Sequence, residues 1–196
     1  MNSQTAVYIP SIRIITISGR IASGSTALAR HLSKQLGWRH IEGGEIFWEA
    51  IRKRMGFSEK DTNLRPDQED MLFDAQLKKI LEDDKNIVLE TKLAGFNAQG
   101  VDGIFKILVT CEDAGGVDQT QIRIDRLVNR AKVSMDVAKD EVLQREENDL
   151  DKWRKLYANN DSNWVYYDKK YYDLVINTYN HNQEEALKIA LEAIGS

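Results

Sequence analysis

The segment Gly19-Arg20-Ile21-Ala22-Ser23-Gly24-Ser25-Thr26 has the spacing of a phosphate-binding loop, Gly-x-x-x-x-Gly-Lys-Ser/Thr, with Ser25 in place of the lysine. Glycines at the two fixed positions let backbone amides curl around phosphate oxygens. A helix beginning behind the loop adds the partial positive charge of its N-terminus. Thr26 would then place its hydroxyl on a magnesium ion that accompanies the phosphates. The same small residues also suit an ordinary Gly/Ser turn between a strand and a helix.

Cations further along the chain favour the phosphate reading. Transfer of a phosphoryl group between two phosphorylated molecules gathers negative charge, so its catalysis is mostly positioning and charge neutralisation. Arg123, Arg126 and Arg130 recur at helical spacing, and the last two share a face. Arg145, Lys152 and Arg154 follow in a strongly charged stretch. Lys92 comes directly after an apolar β-like run, where parallel-sheet proteins place ligand contacts. Glu90, at the end of that run, is a candidate carboxylate for a magnesium-bound water. Each cation also fits a solvated helix face, paired with Asp125, Asp136, Glu141, Glu146, Glu147 or Asp151.

Other chemistries find less support. The three histidines, His31, His40 and His181, are scattered without metal-ligand spacing. A single cysteine, Cys111, excludes an internal disulfide framework and a cysteine-based zinc site. No Ser/His/Asp or Cys/His set for acyl transfer stands out. Residues 164–172 mix aromatics with lysines, as single-stranded nucleic-acid binders do, but the stretch is short and its packing against a sheet or a subunit is the favoured reading.

These residues need elements to position them. The β-branched run at 12–18 predicts a buried strand, with further strands at 38–41, 86–90, 104–110 and 174–177. Leu28, Leu32 and Leu36 predict a helix that Gly37 stops. Residues 45–55 predict a helix with Ile46, Phe47, Ala50 and Ile51 on one side. Pro66 suits the first turn of another, whose buried stripe would be Met71, Leu72, Ala75, Leu77, Ile80 and Leu81. A helix with Ile122, Leu127 and Val128 follows, then one capped by Ser134 and running to Lys155. Asn182 and Glu185 have capping-box spacing ahead of a last helix carrying Leu187, Ala190, Leu191 and Ile194. Alternating strands and helices predict an α/β fold with a parallel sheet covered on both faces.

The length of 196 residues fits one domain, taken as 1–196. Hydrophobic residues make up 42% and charged residues 30%, enough for a real core and a soluble surface. A net charge of −4 argues against a general nucleic-acid or anionic-membrane binder. The apolar runs fall short of the ~20 residues of a membrane span, and residues 1–10 lack the features of a signal peptide. A cytoplasmic protein is expected, with no nucleic-acid or membrane partner and with a monomer favoured.

The ordered segments resemble the cytidylate kinase family, in its archaeal-type, short form. The shared wording is Ile-Thr-Ile-Ser-Gly at 15–19, Ser23-Gly24-Ser25-Thr26, Gly44-Glu45-Ile46-Phe47, Leu89-Glu90-Thr91-Lys92-Leu93-Ala94-Gly95-Phe96, Arg145-Glu146-Glu147, and Tyr172-Asp173-Leu174-Val175-Ile176-Asn177-Thr178. In that branch the missing loop lysine is a family trait. The resemblance implies a P-loop three-layer sandwich with a five-stranded parallel sheet and a short helical lid, near 131–157. It implies transfer of the γ-phosphoryl of Mg·ATP to CMP or dCMP, with nucleotides as the partners. Residues 19–26 (Gly19, Arg20, Ile21, Ala22, Ser23, Gly24, Ser25 and Thr26) would hold ATP, with Thr26 at the metal. Arg126, Arg130, Arg145 and Lys152 would be catalytic cations, and Glu45, Trp48, Arg52, Lys92 and Gly95 would line the acceptor site.

The chain also departs from the family pattern. Trp48 stands where an arginine usually grips the acceptor phosphate, Lys92 replaces an arginine, and Leu150 sits where the lid commonly has one. Trp48 suits the core, a stacking platform for a base, or the place of a lost phosphate contact; Arg52 and Arg54 could restore the charge. A P-loop kinase for another acceptor, or a nucleotide-binding regulatory protein without turnover, therefore stand as alternatives.

Overall fold

The computed structural model describes residues 5–56 and 65–195. Its five strands are β1 (Ile14–Gly19), β2 (Arg39–Glu42), β3 (Ile87–Glu90), β4 (Ile104–Thr110) and β5 (Leu174–Asn177). They form one parallel sheet in the order β2-β3-β1-β4-β5. All six residues of β1 are buried, as expected for a central strand covered on both faces. The edge strands β2 and β5 are more exposed, and both are short.

On one face, α1 (Ser25–Leu36) and α8 (Gln183–Ile194) pack against the sheet. Leu28, Leu32 and Leu36 meet Ile15, Ile17, Val109 and Ile176, while Ala186, Ala190 and Ile194 complete that core. Gly37 ends α1 in the left-handed conformation, and Asn182 with Glu185 forms the reciprocal cap that starts α8. On the other face, α3 (Asp67–Asp83) and α4 (Ala94–Asn97) cover Ile14, Ile41, Ile87 and Leu89. The helices α2 (Gly43–Met55) and α5 (Thr120–Ala131) follow β2 and β4 in the chain. A helical arm follows, made of α6 (Met135–Lys139), a π-helical turn (Asp140–Arg145) and α7 (Glu146–Tyr157). Ser134 caps α6 as its position predicts. No helix among the described residues is long and apolar enough to cross a membrane.

Two buried faces differ from those expected. In α2 the inward residues are Phe47, Trp48 and Ile51, while Ile46 is 52% exposed. In α3 the inward row is Asp70, Asp74, Leu77 and Leu81, and Met71 and Leu72 face out. A hydrophobicity pattern assigns aspartates to solvent. Here Asp70 and Asp74 are buried because the arm brings partners to them: Lys152 to Asp70, and Tyr157 to Asp74.

The aromatic stretch at 164–172 packs on the arm. Tyr166 is fully buried and meets Trp153 edge to face at 5.4 Å, and Trp164 meets Phe96 at 5.2 Å. Those rings serve as a wedge between the arm and the sheet.

Gly95 anchors this wedge. Its N–H donates to the Ser18 hydroxyl (3.0 Å), and a methyl group there would lie 2.1 Å from the Tyr172 ring. The ring cannot swing freely, because its hydroxyl donates to the Tyr166 carbonyl (2.8 Å). Gly95→Ala should therefore lower stability by about 1–3 kcal/mol through overpacking. Equilibrium urea unfolding measures this, and an unchanged midpoint would contradict the packing described.

Candidate active site

The loop between β1 and α1 is shaped by contacts that leave little freedom. A Cβ on Gly19 would lie 2.3 Å from the Ser23 hydroxyl and 2.8 Å from the Val109 carbonyl, so that position takes only glycine. Gly24 sits at φ +111°, a conformation that costs other residues energy. Ala22 is also left-handed, at φ +61°, and its methyl packs toward the cluster of Ile124, Leu127, Ala138 and Val142. Strain of this kind is held where the surroundings overdetermine the backbone.

The surroundings here are ionic. Glu146, the first residue of α7, accepts from Arg20 (2.8 Å), from Arg123 (3.2 Å) and from the backbone N–H of Ile21 (3.2 Å). Arg123 is fully buried and also donates to the Ile21 carbonyl (2.7 Å) and to Asp118 (2.9 Å). Burial works against the charge on Arg20, but Glu146 outweighs it and raises the guanidinium above its ordinary value. The loop is thus tied to α5 and to the arm through one carboxylate.

Below the loop lies a cleft of about 160 Å³. Gly19, Arg20, Ile21, Ala22, Gly24, Ser25 and Thr26 form one wall, and Glu45, Trp48, Glu90, Lys92, Arg130 and Arg145 the others. The parallel register explains this convergence, since Glu90 pairs with Ile17 and with Glu42 at the carboxyl ends of the strands. Ser25 donates to Glu90 (2.9 Å). Burial pushes the Glu90 carboxyl up to about 7; Glu42 adds to that and Ser25 opposes it. Glu42 itself pairs with Arg30 (2.8 Å).

A smaller pocket of about 90 Å³ continues from the cleft, sharing Trp48, Lys92 and Arg145 and reaching Arg65, Asp74 and Asp149. Trp48 is 2% exposed, so it is a core residue whose ring also forms a wall. The Arg145 guanidinium stands 5.6 Å from its centre. Arg145 pairs with Glu141 at the other end of the π-helical turn, and its Nε is buried without a hydrogen-bond partner among the described residues. Asp149 accepts from Lys92 (2.6 Å) and Arg65 (3.2 Å). Burial pushes its carboxyl up, but Lys92, Arg65 and Arg145 outweigh that and hold it down at about 2.

A third cavity, of about 560 Å³, lies on the other side of the loop against Leu28, Arg126, Thr178 and His181. Ala22, Gly24 and Arg130 border both this cavity and the cleft. Arg126 donates to the Thr178 hydroxyl and carbonyl (both 2.8 Å) and to the Ser23 carbonyl (3.3 Å), which fixes the loop to the end of β5.

Three expected site residues lie elsewhere. Lys152 turns toward the start of α3, where it donates to the Arg65 carbonyl and pairs with Asp70 (3.0 Å). Arg52 is half-buried on α2 and does not line the cleft, because Trp48 occupies the inward turn. Gly95 acts through packing beneath the sheet end. Conversely, the sequence pattern does not single out Arg65, and it offers Glu146 as a partner on a solvated helix face or as part of the family-like Arg145-Glu146-Glu147 segment, not as the buried residue it is. An isolated arginine before Pro66 carries no periodic or motif signal, and a glutamate in a charged helix looks solvated until its partners are placed.

The cytidylate kinase-like family matches residues 14–180. The chain is 29% identical to a cytidylate kinase of Archaeoglobus fulgidus over 92% of its own length and 93% of the relative. It is 30% identical to a cytidylate kinase of Methanosarcina acetivorans, covering 92% and 95%. Among solved structures, a shikimate kinase from Bacteroides thetaiotaomicron superposes with a TM-score of 0.60 at 15% identity, covering 94% of this chain and 99% of that one. That likeness is one of fold.

The state of Asp149 has a consequence for acid stability. A carboxyl held below its ordinary 3.8 stabilises the fold above that value and loses the contribution as pH falls toward 2. Asp149→Asn should flatten this acid limb while lowering stability at neutral pH by about 3–5 kcal/mol, since it strands buried cations. Urea unfolding as a function of pH reads both effects, and an acid limb unchanged by the substitution would contradict the assignment.

Proposed function

This chain belongs to the cytidylate kinase-like family, and on that premise we propose that it moves the γ-phosphoryl group of ATP onto a nucleoside monophosphate, with CMP and dCMP as the preferred acceptors. The observation that carries this reading is the shared border of the two sites. The phosphate loop and Arg130 separate a large, mostly apolar cavity from a cleft lined by Lys92, Trp48 and Arg145. The first suits the nucleoside of a donor and the second the phosphate of an acceptor, with the loop amides between them.

The residues present fit a magnesium ion carried with ATP. Thr26, in the first turn of α1, borders the cleft, and Glu90 is a half-buried carboxylate beside Ser25 whose charged form an arriving cation would favour. The ion would neutralise charge on the phosphates. The loop amides and the N-terminus of α1 would hold the β- and γ-phosphates. Arg126 would flank the donor base, and Arg130 would reach the phosphates from the shared border. Lys92 would position the acceptor phosphate. Arg145, which lines the cleft, would donate to the group in flight. An acceptor phosphate oxygen forms a bond to the γ-phosphorus as the bond to the β-bridging oxygen breaks, and ADP leaves. The arm over the loop would exclude water and limit hydrolysis of ATP. On this reading the protein is a cytoplasmic enzyme with nucleotide substrates.

A coupled assay of ADP release with Mg·ATP tests it, using CMP, dCMP, UMP, AMP and GMP against a blank without acceptor. Turnover with CMP or dCMP well above the blank is expected, and Lys92→Ala should lower kcat/KM for that acceptor by about a hundredfold. Rates at the blank for all five would contradict the proposal and direct the search to another acceptor or a binding role.

A further inference from the structure

Arg65 stands just before α3 and lines the same pocket as Lys92 and Arg145. The residue is 5% exposed. Its guanidinium lies 5.2 Å from the centre of the Phe47 ring and 5.3 Å from that of Trp48. Nε donates to Asp70 (2.9 Å), and one terminal nitrogen contacts Asp70 (2.9 Å) and Asp149 (3.2 Å). The other terminal nitrogen, Nη1, has no hydrogen-bond partner among the described residues. Desolvating a guanidinium is costly, and a merely structural ion pair is often replaced by apolar residues without loss. Here two carboxylates fix the plane of the fork and two rings flank it, while a donor edge is left over beside Lys92 and Arg145.

We infer that Arg65 is an acceptor-binding residue, donating to the anionic phosphate of the nucleoside monophosphate, with Trp48 and Phe47 as the platform that orients it. The inference rests on the kinase reading above. It also accounts for a departure noted in the sequence: the charge missing at position 48 stands 5.3 Å from the ring that occupies it, delivered from another element. A planar fork suits a phosphate better than a lysine head would. Asp149, which touches both Arg65 and Lys92, would hold the two donors at one spacing.

Steady-state kinetics of full-length Arg65→Gln, Arg65→Lys and the double variant Trp48→Arg/Arg65→Gln test this, with circular dichroism to check the fold. Loss of a charged hydrogen bond should raise the KM for CMP by about tenfold or more in Arg65→Gln, with the KM for Mg·ATP nearly unchanged. Arg65→Lys should fall between it and the wild type. In the double variant the arginine restored at position 48 should bring the CMP KM back down, an effect that a purely structural role for Arg65 would not produce. A CMP KM unchanged in Arg65→Gln, or equal rises in both KM values without rescue, would overturn the inference. Should Arg65→Gln not fold, Arg65→Lys reads the same two parameters, and a CMP KM unchanged in it would overturn the inference. Wild-type turnover with CMP alongside an unaffected Arg65→Gln removes this inference alone, whereas no wild-type turnover with CMP removes the kinase reading together with it.

Discussion

The arrangement depends on one buried carboxylate. Glu146 receives Arg20, Arg123 and the Ile21 amide, and so fastens the phosphate loop to the first turn of α7. Breaking such a cluster from one side leaves uncompensated charge in the interior, at about 3–5 kcal/mol. The left-handed backbone at Ala22 and Gly24 can persist because that cluster, together with the Arg126 contacts to Ser23 and Thr178, holds both flanks of the loop. The same carboxylate follows directly on Arg145, so the geometry that shapes the loop also sets where the arm's guanidinium enters the cleft.

A second constraint is the electrostatic balance around Asp149. Lys92, Arg65 and Arg145 surround Asp149, and Lys152 joins through Asp70. This network draws on the C-terminal end of β3, the start of α3 and the arm, three segments distant in sequence. It holds these cations in one fixed arrangement. In the loop, Ser25 stands at the lysine position of the motif and turns to Glu90, and positive charge at the cleft comes from Arg130 and the α1 N-terminus.

Much of this was legible in the sequence. The loop announces itself because its glycines answer to steric demands that spacing alone encodes. The strands at 104–110 and 174–177 fall where β-branched runs placed them, while β1 and β2 begin one or two residues later than their apolar runs. The helix at 45–55 gains two residues at its start. What stayed hidden involves polar groups buried by long-range partners. Asp70 and Asp74 look like solvent residues until the arm's Lys152 and Tyr157 are placed beside them. Arg65 has no local signature at all. The family resemblance implies Lys152 as a lid cation at the cleft, but the helical arm turns it toward α3, a rotation no composition argument fixes. For Trp48 the sequence allows core, platform or replaced contact, and the structure makes it both core and wall.

The central claim is that the apolar cavity and the charged cleft are two halves of one reaction site joined across the phosphate loop. Calorimetric titration with a bisubstrate analogue, adenosine and cytidine linked by five phosphates, tests it most directly. The account predicts one molecule bound per chain, far more tightly than either ATP or CMP alone, because a single ligand fills both halves with one loss of translational freedom. Affinity no better than that of ATP would mean that the two sites are not joined, and would contradict the account.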